Sequence, residues 1–583
     1  MSGLRGWSRP DSHGPAARLC IEPPTADEPS RGPVASPIVP CTTIATDAGC
    51  TLGLHGEVHG LDRLRLELGL PAHASPAATA LASWRRWSSG FVSRLDGVFA
   101  LALCSGDEVL LYRDPSALQP LYWCCPSPRE LVFATQTDTL LRTVEAARRI
   151  ARRSLHEYLR FLDVAAPNTF FEGMFAVEAG CLLRWTPRGM ESVASAVATA
   201  PAEAKATDFA GAVDTLRALL QQGVQRRLDD AARPAAFLSG GIDSSLVCAL
   251  AHGHRADAVA LTVGFAGSRY DESPLASQIA AHLGMPHRVL RFEHAAYLSA
   301  LDRLSDGLDQ PMADPATPAT LLAFERCREN FDVVLDGTGA DEAVGAMPPR
   351  HLRVAVGYGS LLPGALRRGL LRGMRAVPRA ADYAPILDFE HAAETMIRWH
   401  GFTRAEIERL CGEPVSFEHT QFFRTFARFP RAAHFERYSA LLDAMPCDRL
   451  GQSARITGMR VRYPFHDLHT NRFLRQLRTD WRWLPGQPKR ILRALLASCV
   501  PMQIWDLPKH GFDFPLQQFL AAEDHALVRR YVIDGAWLDQ GLLQAAEVRS
   551  YGQRFMAGDR RLMFRVWALV VLGAWLEKHD GLH

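Results

Sequence analysis

From residue 51 to about 186, short apolar runs alternate with turn-forming residues: "GVFALALCS", "EVLLYRD", "PLYWCC", "ELVFAT" and "GCLLRW". Runs this short, rich in branched and aromatic residues and bounded by Gly, Asp or Pro, predict β-strands. A Pro-, Ser- and Ala-rich stretch from 11 to about 40 adds one short strand near "RLCIEPP". Around 187–207 the chain reads "PRGMESVASAVATAPAEAKAT", poor in large apolar residues, and an inter-domain linker is expected there. Beyond it the period changes. "DFAGAVDTLRALLQQGVQRRL" places Phe209, Val213, Leu216, Leu219 and Leu220 on one helical face. "AAFL" then reads as a strand, "SGGIDSS" as a loop, and a helix follows from about Ser245. "AVALTVGF" and "FDVVLDG" are further strands, with "SPLASQIAAHLGM" a helix between them. Such alternation predicts a parallel sheet covered by helices on both faces. From about 345 onward helical patterns recur without strand-like runs. "VWALVVLGAWL" at 566–576 is too short to span a bilayer and is expected to be a buried C-terminal helix.

A chain of 583 residues exceeds one ordinary core, so at least two domains are expected, divided here as 1–200 and 205–583. Hydrophobic content of 48% and charged content of 22% are those of a soluble globular protein. A net charge of +2 gives no global reason for nucleic acid or an acidic membrane as a partner. Twelve cysteines without CxxC spacing suggest thiols in a reducing compartment. The first residues lack an apolar segment of signal-peptide length, so a cytoplasmic location is expected.

The loop "SGGIDSS" at 239–245 carries the first candidate chemistry. Gly240 and Gly241 allow unusual backbone angles and close ligand approach. Unpaired amides at the start of the next helix attract an anion. Ser239, Ser244 and Ser245 add hydroxyl donors. Asp243 would repel phosphate unless a cation lies between them, and Mg²⁺ is the natural bridge. A serine-capped glycine turn without ligand remains the bland alternative, and no Walker A spacing is present.

"SGGIDSS" resembles the pyrophosphate-binding loop of ATP pyrophosphatases, which form AMP and pyrophosphate while adenylating a carboxyl group. More narrowly, the chain resembles the asparagine synthetase superfamily. "YDESPLASQIAAHLGMPH" (270–287), "VVLDGTGADEAVGA" (333–346), "RVRYPFHD" (460–467) and "LPKHGFDFP" (507–515) are similar to that family's segments, in the same order. The resemblance implies a parallel-sheet ATP-pyrophosphatase domain with a large helical extension, using ATP and Mg²⁺. It implies that Asp243 and Asp341 hold the metal, and that Leu238, Val263, Asp336 and Gly337 frame adenine and ribose. Lys509 would neutralise charge developing during attack on the adenylate. Lys489, in "QPKRILRALL", aligns with another family lysine and contacts phosphate on this reading, a solvated helix start being the alternative.

The N-terminal part, through "HGEVHGLDRLRLEL", "FVSRLDGVFALAL" and "LYRDPSALQPLYW", is similar to class II glutamine amidotransferases. That resemblance implies an Ntn-type antiparallel β-sandwich with helices. Those enzymes use an N-terminal cysteine, whereas here the first cysteine is Cys20, and His55 stands in place of the family's oxyanion asparagine. A domain with the fold but without glutaminase activity is expected. Arg460 replaces the glutamate thought to deprotonate the attacking amine, and a functional role for it is favoured over a surface salt bridge. Loss of ammonia supply with ATP chemistry retained suggests an amine tethered in the same molecule. The chain then most resembles lasso-peptide cyclases. An Asp or Glu side chain of a precursor peptide would be adenylated and attacked by the peptide's N-terminal amine, a leader-peptide protease being the partner. Thr338 stands where β-lactam synthetases carry a tyrosine, and the candidates for the base are the substrate itself or a histidine near His466. The alternatives are an asparagine synthetase-like or β-lactam synthetase-like ligase acting on a small amino acid, and a non-catalytic peptide-binding scaffold.

Overall fold

The computed structural model describes residues 3–11, 14–22, 42–193, 208–265, 267–268, 271–348, 350–377, 389, 391, 394, 401–429, 434–443, 448–506, 514–579 and 581–582. Its N-terminal strands are β1 (Gly3–Asp11), β2 (Gly14–Glu22), β3 (Thr42–Asp47), β4 (Cys50–His59), β5 (Asp96–Ser105) and β6 (Glu108–Arg113). They are followed by β7 (Tyr122–Ser127), β8 (Glu130–Ala134), β9 (Met174–Ala176), β10 (Leu182–Thr186) and β11 (Gly189–Val193). Two antiparallel sheets result, ordered β2-β1-β8-β7-β9 and β11-β10-β6-β5-β4-β3.

β5 shows why its sequence is continuously apolar. Phe99, Leu101 and Leu103 point into one core, against Ala77, Ala80 and Leu81 of the helix Pro76–Trp87. Ala100, Ala102 and Cys104 point the other way, into a core that also holds Leu131, Phe133 and Trp185. Both faces of the strand are covered, so the usual polar alternation disappears. The start of the expected linker is not a linker. β11 pairs antiparallel with β10 from Thr186↔Gly189 to Leu182↔Val193, so 187–193 form a hairpin that completes the sheet edge. Residues 194–207 lie outside the described residues.

The second half contains β12 (Pro234–Phe237), β13 (Val259–Val263), β14 (His287–Leu290), β15 (Val333–Leu335) and β16 (Arg460–Arg462). They form one parallel sheet ordered β14-β13-β12-β15-β16. The chain builds outward from β12 to β14, then returns to the other side of β12. That reversal places a crevice beyond the carboxyl ends of β12 and β15, where open α/β sheets bind ligands. β16 departs from the expectation of an all-helical tail. Three residues are too few to carry a periodic signal, and only pairing with β15 makes them a strand.

The helix Phe209–Leu228 buries Leu216 and Leu220 as its periodicity predicts, and Asp208 caps it by accepting from the Gly211 amide. The C-terminal helix Met563–Lys578 is buried nearly all round, as a helix without a polar face must be. Its core crosses the expected domain boundary. Tyr158 Oη donates to Ala568 O at 2.7 Å, and the Phe170 and Trp575 rings meet edge-on at 5.6 Å. Among the described residues no helix is long and apolar enough to cross a membrane, and nine cysteines between Cys50 and Cys499 are free thiols.

Candidate functional site

β12 ends at Phe237, and its chain turns through Leu238–Gly241 into the helix Ile242–His254. Gly240 makes the turn at φ 77°, and a β-carbon there would meet the Leu275 side chain at 2.9 Å. The helix starts three residues earlier than expected. Asp243, Ser244 and Ser245 therefore lie in its first turn. Gly241 caps the helix without any side-chain hydrogen bond, which leaves first-turn amides for a ligand. The Ser244 hydroxyl accepts from the Ser239 amide at 3.1 Å and lies 3.0 Å from the Ser239 hydroxyl, bracing the loop. Ser245 is fully buried and does not line the pocket. One helical step of about 100° turns it from the crevice into the sheet, so its expected donor role has no geometric basis.

A cavity of about 310 Å³ opens beside this loop. Of the residues expected from sequence, Leu238, Ser239, Gly241, Asp243, Ser244, Val263, Asp336, Gly337 and Asp341 line it. Gly240 shapes the turn from behind. Gly337 comes so close to the loop that a β-carbon would lie 3.0 Å from the Ser244 amide nitrogen. Thr338 donates through its amide, at 2.8 Å, and through its hydroxyl, at 2.5 Å, to Asp336 Oδ1, fixing that carboxylate at the cavity edge. The Phe237 and Phe324 rings, stacked at 5.7 Å, give the cavity an apolar wall suited to a flat base. Sequence reasoning missed Glu272, Glu342 and Arg449, which also line the cavity. The first two lie inside quoted motifs, whereas Arg449 had no local signal.

Lys489 arrives from 246 residues away. It caps the helix Arg490–Ala497 in the left-handed conformation, φ 55°. Its Nζ donates to Asp243 Oδ2 and stands 2.8 Å from Asp341 Oδ1. Burial alone would lower the amine's pKa. The Asp243 and Asp341 carboxylates outweigh burial and hold it well above the ordinary lysine value, so the group is charged. It is a helix start, as one reading had it, but not a solvated one. One cation within reach of both carboxylates shows that they converge on a common point. That geometry fits Mg²⁺, which takes one or two carboxylates and completes its shell with phosphate oxygens and water. Among the described residues no cluster of three or more His, Cys, Asp or Glu forms an all-protein metal cage. Lys509 lies outside the described residues.

Arg460 does not face the cavity. It is the first residue of β16 and pairs with Val333, the first residue of β15, whereas the cavity begins just past the other end of β15. Its Nε donates to Glu57 Oε1 at 2.6 Å, and a terminal nitrogen donates to Asp230 Oδ2 at 2.8 Å. Arg462 donates to Glu57 Oε2 at 2.8 Å and also pairs with Asp230. This is an ion-pair cluster between β4 and β16, so the expected functional role gives way to a structural one. Burial would raise the Glu57 pKa, but Arg462 and Arg460 hold it at about 2. Nearby His55 is buried, lies 2.8 Å from Thr42 Oγ1, and is lowered to about 4 by burial and by Arg455, hence neutral. The His466 ring stands behind the loop, close enough that a β-carbon on Gly339 would meet it at 2.9 Å.

Comparison with known proteins agrees with this geometry. The family described as asparagine synthase matches residues 215–577, which include the whole parallel sheet, and a glutamine amidotransferase domain matches residues 42–195. A "Putative asparagine synthetase" of Mycobacterium bovis is 26% identical, covering 90% of this chain and 84% of that protein. Asparagine synthetase 1 of Bacillus subtilis is 23% identical, covering 82% and 78%. Carboxyethyl-arginine beta-lactam-synthase of Streptomyces clavuligerus is 28% identical over 52% of this chain and 57% of its own. With most of its length and its pocket-bearing sheet inside the match, this chain belongs to the asparagine synthase family of ATP-dependent amide ligases, which release AMP and pyrophosphate.

Proposed function

We propose that the protein joins a carboxyl group to an amine within one peptide, closing a macrolactam as lasso-peptide cyclases do. The peptide's Asp or Glu carboxylate attacks the α-phosphorus of ATP, and pyrophosphate leaves. The peptide amine then attacks the acyl carbon, AMP departs with the bonding electrons, and the amine nitrogen gives up its proton. The observation that carries the adenylating step is the meeting of Asp243, Asp341 and Lys489 beside the 310 Å³ cavity. When bound, Mg²⁺ would be held by the two carboxylates and would neutralise phosphate charge. The chain's own share is positioning: first-turn amides and Ser239 toward phosphate, the Phe237–Phe324 wall toward the base, and Lys489 as a second positive charge.

A tethered amine is supported by one feature: His55, which stands in place of the family's oxyanion asparagine, is buried and has its Nδ1 engaged 2.8 Å from Thr42 Oγ1. Tethering makes the second step effectively unimolecular, worth about 7–11 kcal/mol in well-oriented geometries. Amidation of a free amino acid is the second reading, favoured by the asparagine synthetase relatives that match most of the chain.

Pyrophosphate release decides between them. Release dependent on a linear Asp- or Glu-containing precursor peptide, with cyclic product by mass spectrometry and loss in Asp243→Ala, is the expected result. Turnover of aspartate with ammonia, and none with peptide, would exclude the cyclase reading.

A further inference from the structure

Between Glu342 and Asp382 the sequence holds seven arginines and no acidic residue. Six of those arginines lie in two consecutive helices joined by a short turn into a hairpin, Arg350–Gly359 and Gly364–Ala376. Of the ten large apolar side chains that the described residues leave exposed, seven fall between 354 and 377. They are not scattered. Val354 and Tyr358 are four apart on the first helix, and Leu366 and Leu370 are four apart on the second, so each helix turns an apolar stripe outward. Leu361 at the tip is 75% exposed and Tyr358 is 71% exposed. Gly369 and Gly373, also four apart, have open space where a side chain would project, so bare backbone lies beside the leucines. Away from these stripes the helices bury Val356, Arg367 and Leu371. Arg367 donates to Gly359 O at 3.1 Å, fixing the second helix to the first. The outward stripe is therefore a surface held in place, and an apolar patch of this kind marks an interaction site.

The hairpin is tied to the nucleotide cavity. Its first helix starts eight residues after the cavity-lining Glu342. The Arg353 guanidinium lies 6.0 Å from the Trp483 ring centre, and that ring packs on Phe435 at 6.1 Å. Arg482 lies over Phe435 and donates to Val344 O at 2.7 Å, in the helix Ala340–Val344 that carries Asp341. Whatever docks on the hairpin is thereby registered against the carboxylate-bearing wall of the cavity.

We propose that this hairpin is the docking surface for an acidic, apolar segment of the peptide substrate, and this rests on the peptide reading above. Charge complementarity selects the occupant. A run of arginines without one acid repels basic segments and attracts carboxylates, while the stripes take alternate apolar side chains. Arg350 and Arg372 are exposed and available as charge partners. A peptide is favoured over an anionic lipid surface because the reacting carboxyl must pass from the docked segment into the adjoining cavity.

The probe is a fluorescein-labelled twelve-residue peptide of alternating Leu and Glu, titrated into the full chain and followed by anisotropy, with a Leu/Lys peptide and phosphatidylglycerol vesicles alongside. The double variant Leu366→Asp, Leu370→Asp changes only exposed positions, and its fold is checked by an unchanged melting temperature. The expected result is saturable, salt-sensitive binding of the Leu/Glu peptide, weakened at least tenfold in the double variant and several-fold in Arg372→Glu. Equal binding of the Leu/Lys peptide, an unchanged affinity in the double variant, or leucine-dependent vesicle binding without peptide binding would each overturn the proposal. Failure of the cyclase reading is scored separately, by pyrophosphate release from aspartate and ammonia, which the hairpin variants leave untouched.

Discussion

Glu57→Gln is the sharpest probe of the contact between the two halves. The Glu57 carboxylate accepts from Arg460 at 2.6 Å and from Arg462 at 2.8 Å, linking β4 to β16 across 403 and 405 residues of chain. Its pKa falls from 4.5 to about 2 despite burial. At about 1.4 kcal/mol per tenfold change this corresponds to roughly 3 kcal/mol. The side chain is one-quarter exposed, so solvent screening trims the figure to about 2–3 kcal/mol. The sign follows from the direction of displacement. A carboxyl lowered in the folded state stabilises above pH 4.5 and loses that contribution as pH falls toward 2. Glutamine keeps the shape but leaves Asp230 as the carboxylate facing both Arg460 and Arg462. A chain of this size need not unfold in one step, so local opening is the better measure. Amide hydrogen exchange in β4 and β16 at pH 7 is expected to accelerate by about 30- to 150-fold, the exchange equivalent of 2–3 kcal/mol. The Arg460→Met variant should show the same regional loosening, and the double variant less than the sum of both. Unchanged exchange in both variants, with turnover abolished in Arg460→Met, would refute the structural role and return Arg460 to the chemistry.

Two further predictions concern the cavity and the shared core. Lys489→Met leaves the Asp243 and Asp341 carboxylates without their common cation, at a cost of about 3 kcal/mol for a broken, largely buried pair; the melting temperature in metal-free buffer should fall, and millimolar Mg²⁺ should restore it, whereas no Mg²⁺-dependent recovery would deny the pair a metal-binding geometry. Glu157 is fully buried, accepts from the Ala165 amide and the Asn168 side chain at 2.9 Å each, and is raised by burial to about 7. A carboxyl raised in the folded state gives up stability as pH climbs from its ordinary 4.5 to about 7. Relative to Glu157→Gln, the wild-type protein should therefore lose about 3 kcal/mol over that window, read as a widening gap in melting temperature between pH 5 and pH 7.5; a constant gap would contradict it.

Local structure was legible from residues alone. The "SGGIDSS" loop, the strand before it and the "DGTGADE" loop depend on backbone freedom, helix amides and neighbours a few positions away, and the structure brings both loops to one cavity. The helix Phe209–Leu228 and the C-terminal helix were legible for the same reason, because periodicity is a local property. Ser245 was misjudged because a helix starting three residues earlier rotates it inward. Arg460 was misjudged because an alignment gives a residue its order, not the end of the strand on which it stands.

What the sequence determined by itself was the longer helices, the main strands and the glycine-rich turn after β12, since these follow from near neighbours along the chain. Tertiary structure alone decided that Lys489 reaches Asp243 and Asp341, that Glu57 is held by Arg460 and Arg462, and that "RVR" is a strand. Those outcomes depend on contacts across hundreds of residues, where charge pairing and sheet register are fixed by the packed core and leave no periodic trace in the order of the amino acids.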